Sequence, residues 1–220
     1  MNNLSKTGAQ LIAAERKRQI EKEGYTSEHD RHHVEGELTY GAICYANPNR
    51  NYIKKRDQST LAKVPTVTLD NGPEGPGEYH MMPASFWPWR PEDWKPCPGN
   101  RMRELQKAGA MIAAEIDRLR RQHAETLCNI AANIPAEELE PFNPKRMIDG
   151  AVAVTGGRRI AWNNEDSKYF APPIKLDILT DIEKMEIKTI AYNDDGQAVH
   201  DDKPENEIIG IIPDKYLLLG

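Results

Sequence analysis

The stretch RMRELQKAGAMIAAEIDRLRRQHAETL, residues 101–127, decides the reading of the fold. Leu105, Ala108, Ile112, Ile116 and Leu119 recur along it at helical spacing. The segment therefore reads as a long helix with one apolar stripe, and Asn100 stands before it as an N-cap residue. This stripe is expected to be buried, which makes the helix the centre of an N-terminal helical domain.

Earlier in the chain, Thr7 and Gln10 have the spacing of a T-x-x-Q capping box, and Gly24 reads as a helix stop. A second helix is expected from near His33 through GELTYGAICYA to Ala46. Residues 47–100 change character. Nine prolines and three of the four tryptophans, Trp87, Trp89 and Trp94, fall there. Proline blocks helix interiors and central strands, so this is read as a long Pro/Trp-rich insertion in which KVPTVTL adds a short strand. Beyond a linker at 131–146, the region from 147 to 220 reads as β. AVAV and RRIAW flank Gly156-Gly157, and MEIKTIAY and QAVH flank Asn193-Asp194-Asp195-Gly196, two hairpin signals. EIIGII and KYLLL supply two further candidate strands. The expected architecture is α+β: a helical N-terminal domain (1–130) carrying an insertion (47–100), then a small β-rich C-terminal domain (147–220).

Composition narrows the function. Net charge is -5 and pI about 5.7, which argues against broad binding to a nucleic-acid backbone, a task that needs a basic face. Cys44, Cys97 and Cys128 are widely spaced and form no CxxC pair, which favours a reducing cytosol over a disulfide framework. No leader-like segment and no apolar run of membrane-spanning length is expected from the sequence.

The densest chemistry lies in EKEGYTSEHDRHHVEGEL, residues 21–38, where His29, His32 and His33 stand among Glu28, Asp30, Glu35 and Glu37. Imidazole and carboxylate are ligands for divalent metals and movers of protons near neutral pH. If the second helix begins as early as Asp30, then Asp30, His33 and Glu37 fall within about 60° of one another. Glu115 on the long helix is the candidate partner from a facing helix, since helical bundles hold metals between carboxylates in this way. Its other reading is an ion pair with Arg118, three residues on. Trp87, Trp89 and Trp94 either stack a planar base or anchor the long loop. The TGGRR turn is a weak anion loop, because no helix is expected to follow it.

The ordered pieces TGAQLIAAERKRQIEKEGYTSEHD, H-x-x-GEL, FWPW, WKP and ELQKAGAMIAAEIDRL resemble a family of small, mostly uncharacterised proteins of tailed phages and prophages. The likeness covers most of residues 7–120, omitting the insertion from about Asn49 to Met82 and the chain beyond about Gln122. Members commonly read EHDD where this chain has EHDR, so Arg31 replaces an acid. More distantly the chain resembles the MazG-like all-α nucleotide pyrophosphatases, whose motif E-E-x-x-E followed by E-x-x-D is here reduced to Glu35-x-Glu37 and Glu104-x-x-Lys107. GYTSEHD also resembles the start of a ryanodine-receptor repeat domain.

Together these imply a phage accessory protein, cytoplasmic in an infected bacterial host, that binds a nucleotide or nucleotide-like ligand to counter host defence. Tyr25, His29, Arg31, His33, Trp87, Trp89, Trp94, Arg103 and Lys107 are the expected ligand-binding residues. Asp30, Glu37 and Glu115 would hold magnesium or manganese if a metal takes part. Two alternatives remain: a metal-dependent nucleoside-triphosphate pyrophosphohydrolase, and a protein-binding inhibitor module whose partner is a host defence protein. Homo-oligomers are expected; a membrane partner is not.

Overall fold

A computed structural model describes residues 5–56, 63–164, 173–201 and 203–217. The chain divides into two compact units, Met1–Arg118 and Leu119–Gly220, with the boundary inside one continuous helix.

In the first unit, α1 spans Gly8–Arg18 and opens on the expected capping box, Thr7 and Gln10 each satisfying the other's main-chain N–H. It runs on through one wide π-type turn, Gln19–Glu23, and stops at Gly24, whose left-handed φ of 76° any side chain would strain. The short α2, Ser27–Arg31, is capped by Thr26. Gly36, at φ 83°, then turns the chain into α3, Glu37–Ala46. The expected continuous helix from near His33 is therefore cut at Gly36, and Asp30, His33 and Glu37 do not share one helix face.

Proline-rich sequence does not prevent a sheet here. β1 (Asn51–Lys54), β2 (Thr66–Leu69) and β3 (Gly77–Met82) form a three-stranded antiparallel sheet in the order β1-β3-β2. Pro65 precedes β2, Pro73 and Pro76 sit in the turn before β3, and Pro83 follows it, so the prolines stand where no ladder N–H is required. A single helical turn, Pro91–Asp93, leads to α4, Arg101–Asn133, and Asn100 accepts the Arg103 N–H at 3.0 Å.

The expected architecture of a helical domain followed by a small β-rich one is thus overturned. Strands occur in both units, and the long helix stands mid-chain and continues into the second unit. There its last turns place Ala124, Leu127 and Ala131 against Val154, Ile160, Leu179 and Ile212.

The second unit is an antiparallel sheet of β4 (Ala153–Thr155), β5 (Ile160–Asn163), β6 (Ile174–Asp181), β7 (Glu186–Tyr192) and β8 (Ile208–Ile211), in the order β7-β6-β5-β4-β8. Alternate residues supply opposite faces: Ala153, Ala161, Leu176 and Ile178 pack with Met147 of α5 (Pro144–Ile148), while Val154 and Ile160 face α4. The hairpin at Gly156-Gly157 is present. Its N–H groups donate to the carbonyls of Glu207 and Glu205, so the turn is structural and not an anion loop. KYLLL is not a strand: residues through Leu217 belong to the short helix α6, Asp214–Leu217, and Leu218 and Leu219 lie outside the described residues.

The phase of α4 also departs from expectation. Ala108 faces inward, but Leu105, Ile112, Ile116 and Leu119 are 40–52% exposed. The inward positions carry Glu104, Ala108, Ala110, Ala114 and Arg118 instead. Small residues are required there because the neighbours are large: Ala108 packs with Tyr45 and Trp94, and Ile12 of α1 fills the space above Gly109. Two substitutions on this helix test the orientation in a thermal melt. Ile112→Ala should cost less than about 1 kcal/mol, and Ala114→Leu should cost roughly 1–3 kcal/mol by overpacking. The reverse order would show that the stripe faces in.

Candidate functional site

The inward faces of α1 and α4 are charged, and this arrangement builds a pocket. Glu15 and Arg16, and Gln19 one helical turn on, are buried. Arg16 forms a buried ion pair with Asp30 of α2, whose other carboxylate oxygen lies 3.3 Å from His29 Nδ1. Glu15 accepts from Arg18 through two hydrogen bonds of 2.8 and 2.9 Å, and also from Arg103 of α4. Burial would raise the Glu15 carboxyl, but its hydrogen bonds to Arg18 and Arg103 outweigh that and hold it below the usual range.

Between these helices and the tryptophan loop lies a cavity of about 330 Å³, at the small end of the roughly 300–1,000 Å³ common for ligand pockets. Its aromatic wall is a chain of ring contacts. Tyr25 meets His29 at 4.9 Å between centroids, His29 meets His33 at 4.9 Å, His33 meets Trp89 at 5.5 Å, and Trp89 meets Trp87 at 4.9 Å. Tyr45 closes the series, edge-on to Trp87 at 5.8 Å. Gly41 of α3 makes this packing possible, since a Cβ there would collide with Trp89 and Met111.

Seven of the residues singled out in the sequence line the pocket: Tyr25, His29, Asp30, His33, Trp87, Trp89 and Lys107. The other five do not. Arg31 is exposed and lies 3.7 Å from Glu28. Trp94 is buried behind the wall against Tyr45, 4.4 Å between centroids, so it anchors the loop. Arg103 is held by Glu15. Glu37 accepts the Glu35 N–H at 2.8 Å and stands 3.9 Å from His33 Nδ1. Glu115 takes two hydrogen bonds from Arg118, 2.9 and 2.8 Å, the ion-pair alternative.

These contacts bear on a metal. Asp30 and Glu115 are each bound to a guanidinium, so a divalent ion would have to displace an arginine from both. Among the described residues no group of three or more His, Cys, Asp or Glu side chains is placed to hold one. The residues present do not fit magnesium or manganese.

The sequence reading missed the contribution of α1: Glu15, Arg16, Arg18 and Gln19 all line the pocket. The signal lay in ERKRQ, whose polar residues at helical spacing form the inward face. Lys95 was also missed as a lining residue.

Among the described residues, Arg16 Nε and His33 Nε2, atoms of two residues that line the pocket, are buried without a protein partner. A buried polar group in this state is costly unless something else satisfies it. No family model matches the sequence, and no curated protein or solved structure matches it either. Among the described residues no helix is long and apolar enough to cross a membrane.

Burial lowers the pKa of His33, with further depression from His29 and opposition from Glu37 and Asp30. The folded imidazole therefore resists a proton that the unfolded one accepts at about 6.5. Stability of the first unit should be full above that value and fall as pH drops below it. Urea unfolding followed by tryptophan emission at a series of pH values should show the fall, and His33→Gln should flatten it; an unchanged slope in the variant would contradict the assignment.

Proposed function

We propose that the first unit is a binding protein for a small planar ligand of the nucleotide type, which it holds in the aromatic pocket and releases unaltered. The observation that carries this reading is the chain of ring contacts from Tyr25 through His29, His33 and Trp89 to Trp87 along one cavity, which Arg16 also lines. Aromatic rings accept the face of any base, and polar side chains on the lining orient it. Two of the three carboxylates that a hydrolase would use for a metal, Asp30 and Glu115, are bound to arginines, which supports retention over turnover. The resemblance to phage proteins supplies a setting, in which retention withdraws a signal nucleotide from a host defence pathway. Self-association is part of the proposal and has a surface to use, the exposed stripe of Leu105, Ile112, Ile116 and Leu119.

Calorimetry with a panel of nucleosides, nucleotides and cyclic nucleotides tests the reading, with chromatography of the ligand recovered afterwards. At least one should bind with a chelator present and return unchanged. Trp89→Ala should weaken it by about 1–3 kcal/mol, the usual worth of one stacked base. No heat from any member, or conversion of the bound one, would refute the proposal.

A further inference from the structure

The charges around the pocket define how much phosphate it can take, an inference that rests on the ring-binding reading above. Four carboxylates line the cavity, Glu15, Glu23, Asp30 and Asp93. Each is matched by a guanidinium. Arg16 holds Asp30, and Arg18 holds Glu15 and, at 2.9 Å, Glu23. Arg103 adds a second cation to Glu15, and Arg90 stands 3.4 Å from Asp93. Four arginines thus balance four acids. His33 adds no charge near neutral pH, because burial disfavours its protonated form.

Two lining cations are left over, Lys95 and Lys107, and neither forms an ion pair among the described residues. They belong to one wall. The Lys107 ammonium donates to the main-chain carbonyl of Lys95 at 2.6 Å and lies 5.2 Å from the centre of the Tyr45 ring. The Lys95 N–H in turn donates to the Tyr45 hydroxyl at 3.2 Å. Lys107 retains further N–H donors, and the Lys95 ammonium retains all of its own.

We infer that Lys95 and Lys107 form a subsite for a single phosphate group, so that the pocket selects a nucleoside monophosphate or a phosphodiester over a triphosphate. Two ammonium groups match the charge of about -1.5 to -2 on one phosphate. A triphosphate would bring additional anionic groups into a lining that also holds Glu23 and Asp93, with no further unmatched cation and no set of acids placed to bring a divalent ion with it among the described residues.

The test uses the full chain and three matched series: adenosine, guanosine and uridine, each with its 5′-monophosphate and 5′-triphosphate, titrated by calorimetry with and without magnesium. Within the series whose nucleoside binds, the monophosphate should bind about tenfold or more tighter than the nucleoside and tighter than the triphosphate. Lys95→Ala and Lys107→Gln should each bring the affinity for the monophosphate close to that for the nucleoside. Glutamine keeps a donor for the Lys95 carbonyl, so the wall is preserved. Added salt should weaken the monophosphate selectively. Equal affinity of nucleoside and monophosphate, a triphosphate that binds as tightly as the monophosphate or tighter, or lysine variants that keep the monophosphate preference would overturn the subsite while leaving the ring pocket standing. Absence of binding by every nucleoside and nucleotide would overturn both.

Discussion

The buried pair of Arg16 and Asp30 is the constraint on which the first unit depends. The residues are 9% and 1% exposed, so two full charges have been removed from water. Such a pair adds little net stability, because its attraction repays a desolvation cost of several kcal/mol. What it does impose is geometry, since neither charge can be left alone. Arg16 must reach α2, which fixes α1 against the histidine-bearing segment and aims His29 at the same carboxylate. The neighbouring Glu15 points its charge to α4 through Arg103, and Glu104 of α4 is clamped by Arg50 just before β1. The apolar cluster of the unit is small by comparison, comprising Ala42, Cys44, Tyr45, Trp94 and Ala108 with a few flanking side chains. Charge pairing decides which face of each helix turns inward.

That choice explains the pocket. Helices packed through long charged side chains and alanines leave space that a leucine core would fill. The tryptophan loop covers this space with rings whose edges and faces meet each other, and Gly41 lets Trp89 lie against α3. Arg16 links the two features: one end of its guanidinium is bound to Asp30, and its Nε remains buried without a protein partner.

Local signals in the sequence were legible where local chemistry governs. Thr7 and Gln10 cap α1, Gly24 ends its extension, Asn100 caps α4, and Gly156-Gly157 turns a hairpin. Two of the three clustered histidines, His29 and His33, and two of the three loop tryptophans also converge on one cavity. Tertiary decisions were not legible. The stripe of α4 has strong periodicity, but periodicity gives the spacing of a face and not its direction, and the neighbours of α4 required alanine. Gly36 was read as part of a helix because a single glycine is tolerated there; its positive φ follows from how the chain must turn after α2. The three-stranded sheet was hidden because prolines were read as excluding strands when they mark their ends. The charged face of α1 was passed over because buried charge is uncommon, and only the opposing Asp30 and Arg103 make it tenable.

A double-mutant cycle on Arg16 and Asp30 tests the account most directly, with the stability of the first unit followed by tryptophan emission and ligand affinity measured in parallel. Arg16→Met and Asp30→Leu should each cost roughly 3–5 kcal/mol, because each leaves a buried charge alone. The double variant should recover much of that stability and still bind ligand poorly, since Arg16, which lines the pocket, is gone. Small or additive single effects, or a double variant that binds as well as the original chain, would contradict the claim that this pair sets both the packing and the pocket.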